Sequence, residues 1–229
     1  MKVGLVSTSS SLWKAIANIY VRDEFRCSGV FYKGLVLTTP THVLGHPSNV
    51  KVGINSLDTP DQSTSPRFDV TIISYYNYIT SKDYKLVLLK PNATLPLPAA
   101  YDLDISPEVG FPEMIFMGWG YTSKNNEALL EHRPLPCTSP PHITPQLSSG
   151  EGWLCFNHPK ASSIVEGSPV FTIKENARRI YAISYREPPS SYDSSTSSIV
   201  FLRIAHFNGW IERNRKDQLK QSRQDNKPI

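Results

Sequence analysis

Few residues in this chain could do chemistry, and they lie far apart in the sequence. Residues 164 to 170 read I-V-E-G-S-P-V, with the carboxylate of Glu166 and the hydroxyl of Ser168 on either side of Gly167. A serine hydroxyl becomes a nucleophile only when an adjacent base takes its proton, and a glutamate has no hydroxyl to activate. Metal ligation asks for His, Cys or carboxylates at ligand spacing. The 6 histidines are scattered, so neither a metal nor a cofactor is expected. No Gly-rich phosphate loop is present. Asn92-Ala93-Thr94 is a glycosylation sequon, which makes Asn92 a candidate modification site. The 3 cysteines are Cys27, Cys137 and Cys155.

The elements that must position these groups read as short strands. Apolar runs at Ala15–Val21, Val30–Thr38, Val50–Ile54, Phe68–Tyr75 and Leu86–Leu89 form a first set. Met114–Trp119, Leu129–Leu135, Gly152–Phe156, Pro169–Ile173, Ile180–Ser184 and Ile199–Ile204 form a second. Tyr101–Pro112 has no period and reads as the crossover between them. His206–Arg215 is the one helix, with Phe207, Trp210 and Ile211 on one face. Thr138–Gly150 and Arg186–Ser198 read as loops. The 19 prolines against 12 glycines fit many turns and few long helices.

At 39% hydrophobic the chain can bury a core. No run of about 18 apolar residues occurs, so no membrane span is expected. Met1–Ser10 lacks the basic start and long apolar core of a signal peptide. The net charge is +4, and much of it falls after Trp210, in Arg213, Arg215, Lys216, Lys220, Arg223 and Lys227. That end reads as a solvated tail. It has no interleaved aromatics to stack on bases, and no nucleic-acid partner is expected.

Blocks of this sequence resemble, in order, the motifs of trypsin-like serine proteases. Cys27-Ser28-Gly29-Val30 and Gly34 to Val43 resemble C-G-G-S-L followed by W-V-L-T-A-A-H-C-V. Lys85–Lys90 resembles D-I-A-L-L-K, and Phe116–Gly120 resembles V-S-G-W-G. Ile164–Val170 resembles G-D-S-G-G-P-V. Ile180–Tyr185 resembles G-V-V-S-W, and Ile199–Ile204 with Trp210-Ile211 resembles G-V-Y-T-K-V and its closing W-I helix. The resemblance runs from about Trp13 to Asn214 and implies an all-β fold. Two six-stranded antiparallel β-barrels and a C-terminal helix are expected, in a single peptidase-like domain over 1–229. The first barrel is expected over 13–100, the second over 113–205, the helix over 206–215 and a polar basic tail over 216–229.

The resemblance also assigns positions. Thr41 falls where the family carries its catalytic histidine, Lys85 at the aspartate and Glu166 at the serine. All three roles are then vacant. Val165 replaces the aspartate that pairs with the new N-terminal amine after zymogen cleavage. Ile164 replaces the glycine whose amide helps form the oxyanion hole. Lys160 stands at the floor of the specificity pocket, and Arg186 and Ile199 stand at its wall glycines. Lys85 and Glu166 carry opposite charges, and two arrangements are open: an ion pair across the former catalytic centre, or Lys85 extended to solvent with Glu166 exposed in the cleft. The alternative is an endopeptidase with a shifted triad of His42, Asp83 and Ser168. Such a shift runs against the strand register, because one residue of slip turns every side chain to the opposite face.

Cys137 and Cys155 fall close to a disulfide of the family. Cys27 matches a family cysteine whose partner's place holds His42. Met114 and Thr172 occupy another lost pair, and Ser163 replaces a further half-cystine. Inactive members of the family commonly act as cofactors, decoys or adaptors of proteolysis. The resemblance therefore implies a catalytically inactive homologue that binds a protease, an inhibitor or a cascade component. The binding surface is expected on loops around the old cleft, Leu44–Asp61, Thr138–Gly150 and Arg186–Ser198. A secreted monomer without a membrane partner is expected.

Overall fold

In the computed structural model, residues 11–39, 43–54, 66–77, 85–95, 103–107, 114–118, 152–157, 165–174, 177–185 and 198–225 are described. The first half forms six strands: β1 (Ile16–Val21), β2 (Glu24–Tyr32), β3 (Leu35–Thr38), β4 (Val50–Ile54), β5 (Arg67–Asn77) and β6 (Lys85–Pro91). Their order is β1-β2-β3-β6-β5-β4, and β1 pairs with both β2 and β4, which closes the barrel. Side chains alternate between the two faces of a strand. Ala17, Ile19, Val21, Val36, Val87 and Leu89 turn inward and pack together. Ile16, Val30, Leu37 and Leu88 turn outward onto Val165, Phe171, Ile180 and Leu202 of the second half. Both faces of β1 are covered, so all 6 of its residues are buried.

The run Val30–Thr38 reads as one strand in the sequence but folds as two. Lys33 and Gly34 take φ of 46° and 78° and turn the chain back, so β2 and β3 pair from Gly29↔Thr38 to Tyr32↔Leu35. Two successive positive-φ residues make the tight turn whose twist suits a hairpin. The apolar pattern is continuous across the reversal because the turn interrupts it by only two residues.

The second half holds β7 (Asp104–Ile105), β8 (Met114–Phe116), β9 (Trp153–Asn157), β10 (Pro169–Lys174), β11 (Ala177–Tyr185) and β12 (Ser198–Arg203). Their sheet runs β8-β10-β11-β12-β9, with β7 added to β11. Met114, Phe116, Val170, Tyr181, Ala182 and Phe201 form its own apolar cluster. β7 lies within the expected crossover and pairs parallel to β11. Two residues supply too little pattern to read as a strand. Among the described residues this sheet does not close, and the expected strand Leu129–Leu135 lies outside them.

A 3-10 turn, Ile204–Phe207, leads into α1 (Asn208–Asp225). The helix passes the expected end at Arg215 and takes in most of the segment expected as a tail. No proline or glycine interrupts Arg215–Asp225, and Arg, Lys, Gln and Leu are good helix formers. α1 docks on the first barrel. Ile211 is buried, and the Tyr76 ring of β5 meets Phe207 at 5.1 Å and Trp210 at 5.7 Å. The Tyr32 hydroxyl donates to Glu212 at 2.6 Å, and the Lys90 ammonium donates to Gln218 at 3.4 Å. Among the described residues no helix is long and apolar enough to cross a membrane.

Candidate functional site

The turn Val165–Ser168 enters β10 at the seam between the two halves, and hydrogen bonds staple it to both. The Ser28 N–H of β2 donates to the Glu166 carbonyl at 2.8 Å. The Gly167 N–H donates to the Ser184 carbonyl of β11 at 2.9 Å. Gly167 has φ of 78°, and a Cβ there would stand 1.9 Å from the Ser28 carbonyl oxygen. Only glycine satisfies both the backbone angle and the contact.

Glu166 is 3% exposed, a buried carboxylate at the position the resemblance gives to the nucleophile. Its charge reaches Cys27 on β2. Burial first, and then Glu166, push the Cys27 thiol up, against a weaker opposing effect from Thr38. Cys27 is free, fully buried and 3.9 Å from the Thr38 hydroxyl. A protonated, buried thiol is unreactive. The Thr38 hydroxyl itself donates to the Ser28 carbonyl at 2.6 Å.

Ser168, the nucleophile of the shifted alternative, is also fully buried. Its hydroxyl donates to the Val165 carbonyl at 2.6 Å, and its N–H donates to the Ser184 hydroxyl at 2.9 Å. The Ser184 hydroxyl donates to the same Val165 carbonyl at 3.0 Å. Gly118 presses on the Ser168 hydroxyl so closely that a Cβ would sit 2.3 Å from it. Ser168 thus holds the turn together. His42 and Asp83 lie outside the described residues. Among the described residues, His46 stands beside Arg22 and His206 against Phe207, so neither supplies a base at this turn.

The other assigned positions are placed unevenly. Val165 is 1% exposed and belongs to the apolar cluster that joins the two halves. Lys85 opens β6 opposite Asn77, and Ile199 lies in β12 opposite Phe156. The side chains of Lys85, Ile199 and Cys155 lie outside what is described, as do residues Thr41, Lys160, Ile164, Arg186 and Cys137. The Lys85–Glu166 and Cys137–Cys155 pairings therefore fall outside the described atoms. Met114 and Thr172, which the resemblance sets at a lost disulfide, are directly paired across β8 and β10 and are both buried.

Two polar groups here were not singled out from the sequence. Ser28 and Thr39 stand where the quoted motifs carry glycine and alanine. The Gly29↔Thr38 pairing sets them opposite one another. Both hydroxyls are buried without a hydrogen-bond partner among the described residues. Each unsatisfied hydroxyl costs about 1–3 kcal/mol. Their signal in the sequence was two added hydroxyls flanking an otherwise matched motif. Among the described residues no group of His, Cys, Asp and Glu could hold a metal.

Asn92 follows β6 and is exposed, with Ala93 and Thr94 exposed after it. Its N–H donates to the Asp69 carbonyl at 2.9 Å, and its side-chain oxygen accepts from the Thr71 hydroxyl at 2.8 Å.

Comparison with known proteins agrees with this geometry. A family model described as Trypsin matches residues 2–211. No curated protein sequence matches the chain. Among solved structures, the secreted serine protease VesC from Vibrio cholerae is similar, with a TM-score of 0.63 at 17% identity. The match covers 92% of this chain and 47% of that one, so this chain spans about half the length of VesC. At that identity the likeness speaks for the fold. The family match runs through both halves and ends within α1, and on it the chain belongs to the trypsin family.

Proposed function

We propose that this protein is a catalytically inactive member of the trypsin family that works by binding another protein. The observation that carries the proposal is the turn at 165–168. The residue in the nucleophile's place is a buried glutamate, and the neighbouring serine hydroxyl is committed to a backbone carbonyl. Thr41 and Lys85, at the positions of the base and its orienting carboxylate, point the same way. The apolar setting of Val165 adds to this, because zymogen-type activation needs a carboxylate there. The partner is a protease, an inhibitor or a cascade component, engaged by loops around the former cleft. The protein acts outside the cell, where a Cys137–Cys155 disulfide and a glycan on the exposed Asn92 would form.

The test is active-site labelling of the purified chain with a fluorophosphonate, alongside active trypsin. Only an activated serine reacts with such a probe. Labelling of trypsin but not of this chain is the expected result, together with no cleavage of a mixed peptide library. Labelling that disappears in Ser168→Ala would establish instead the shifted endopeptidase.

A further inference from the structure

The helix α1 is longer than its packing requires, and its outer face carries a pattern the inner face does not explain. Arg213, Lys216, Lys220 and Arg223 are spaced three, four and three residues apart. At 3.6 residues per turn these positions fall within an arc of about 80°. The same geometry sets Ile211, which is buried, and Gln218, which accepts from Lys90 of the first barrel, on the opposite side. The docking is fixed at several points. Glu212 accepts from Tyr32 at 2.6 Å and pairs with Arg215 at 3.0 Å, while Trp210 packs on Tyr76. The helix cannot roll, so Arg213, Lys216 and Lys220 are held toward solvent.

Arg213, Lys216 and Lys220 are exposed. Lys220 has an acidic neighbour, Asp217, at 3.6 Å, and both side chains are well exposed. Among the described residues Arg213 and Lys216 make no ion pair. Arg215 and Lys33 pair with Glu212, at one edge of the stripe, and Lys33 also pairs with Asp104. What remains, in Arg213, Lys216 and Lys220, is a straight row of exposed cations about 10 Å long, at about 1.5 Å of rise per residue.

We propose that this face of α1 binds a linear sulfated polysaccharide laid along the helix. Charge complementarity selects a polyanion, and the straightness of the row selects an extended one. No aromatic side chain stands among these cations, so the surface offers stacking to no base, which weighs against single-stranded nucleic acid. The proposal does not depend on whether the chain is a protease, since α1 lies apart from the 165–168 turn. Binding would be dominated by release of counterions and would weaken steeply with salt.

The experiment uses the full chain and a heparin-type sulfated oligosaccharide, with affinity measured between 50 and 200 mM salt, about the range in which such binding changes most. The test variant is Arg213→Gln/Lys216→Gln/Lys220→Gln. The control, Lys14→Gln/Arg26→Gln/Arg178→Gln, removes the same charge from other exposed positions. The α1 variant should lose at least about tenfold in affinity and show a shallower salt dependence, by analogy with the loss of phosphate contacts. The control should lose less than about threefold. Equal losses in the two variants would mean that net charge alone attracts the ligand, and would overturn the proposal. So would no measurable binding by the parent chain at 50 mM salt, or tighter binding to a DNA duplex than to the oligosaccharide.

Discussion

Gly34 and Gly167 share a φ of 78°, yet they report different forces. Around Gly34 a Cβ would meet nothing within 4 Å, whereas at Gly167 it would meet the Ser28 carbonyl at 1.9 Å. Alanine at either place bears the cost of the left-handed backbone, roughly 1–2 kcal/mol. Only at Gly167 must the two halves also move apart. Gly34→Ala is expected to lose roughly 1–2 kcal/mol of unfolding stability, and Gly167→Ala at least about 2 kcal/mol more. Chemical denaturation of both variants measures the difference, and equal losses would refute the steric reading. Glu166 makes the same point about legibility. Its place in the chain was readable, because the Pro169-Val170 ends of the motif pin it. Its burial was not, because burial depends on contacts from β2 and β11, far away in sequence.

The elements were legible where one face is apolar and the run is bounded by polar turns, as for β1, β4 and β6. The β2–β3 reversal was hidden because Lys33-Gly34 interrupts an apolar run too briefly. The length of α1 was hidden for another reason. Its last turns present few apolar residues, so only helix propensity and the absence of a breaker mark them. The hydrogen bond that anchors this helix has a measurable consequence. Burial, and then the bond to Glu212, push the Tyr32 phenol up to about 12. Burial and the Glu166 charge push the Cys27 thiol up as well. A folded pKa above the unfolded one gives stability that is complete below the unfolded value and is lost as pH rises through the folded value. The ordinary values are 9.0 for the thiol and 10.0 for the phenol. Stability should therefore begin to fall near pH 9 and keep falling toward pH 12. Tyr32→Phe should flatten the part of the fall between the phenol's ordinary value and about 12. Unfolding curves across that range decide the matter, and unchanged slopes in the variant would show that Tyr32 does not titrate with folding.

At the scale of the molecule, a closed barrel and a second sheet meet along an apolar wall and one stapled turn. The charges assigned to the former catalytic centre come from both halves: Lys85 on β6 of the first, Glu166 before β10 of the second. We expect the two to pair across the seam. Losing one partner of a buried pair costs about 3–5 kcal/mol, whereas an exposed pair contributes about 0–1 kcal/mol. Lys85→Met, Glu166→Gln and the double variant form a cycle that isolates the interaction. A coupling energy above about 1 kcal/mol is expected, and one indistinguishable from zero would dismiss the pair.

The docking of α1 has a consequence for biosynthesis. Tyr32 and Glu212, which bond to one another, are 180 residues apart. At ribosomal rates that separation is on the order of 10–40 s of translation. The strands of the first barrel emerge early, and their closure needs nothing beyond β6. Yet the part of their outer wall that holds Tyr32 and Tyr76 has no cover until the 3-10 turn and α1 follow. Through that interval the nascent chain carries a closed barrel with a bare aromatic flank, the kind of surface on which aggregation begins and chaperones act. A message interrupted before Ile204 would leave that flank bare for the life of the product.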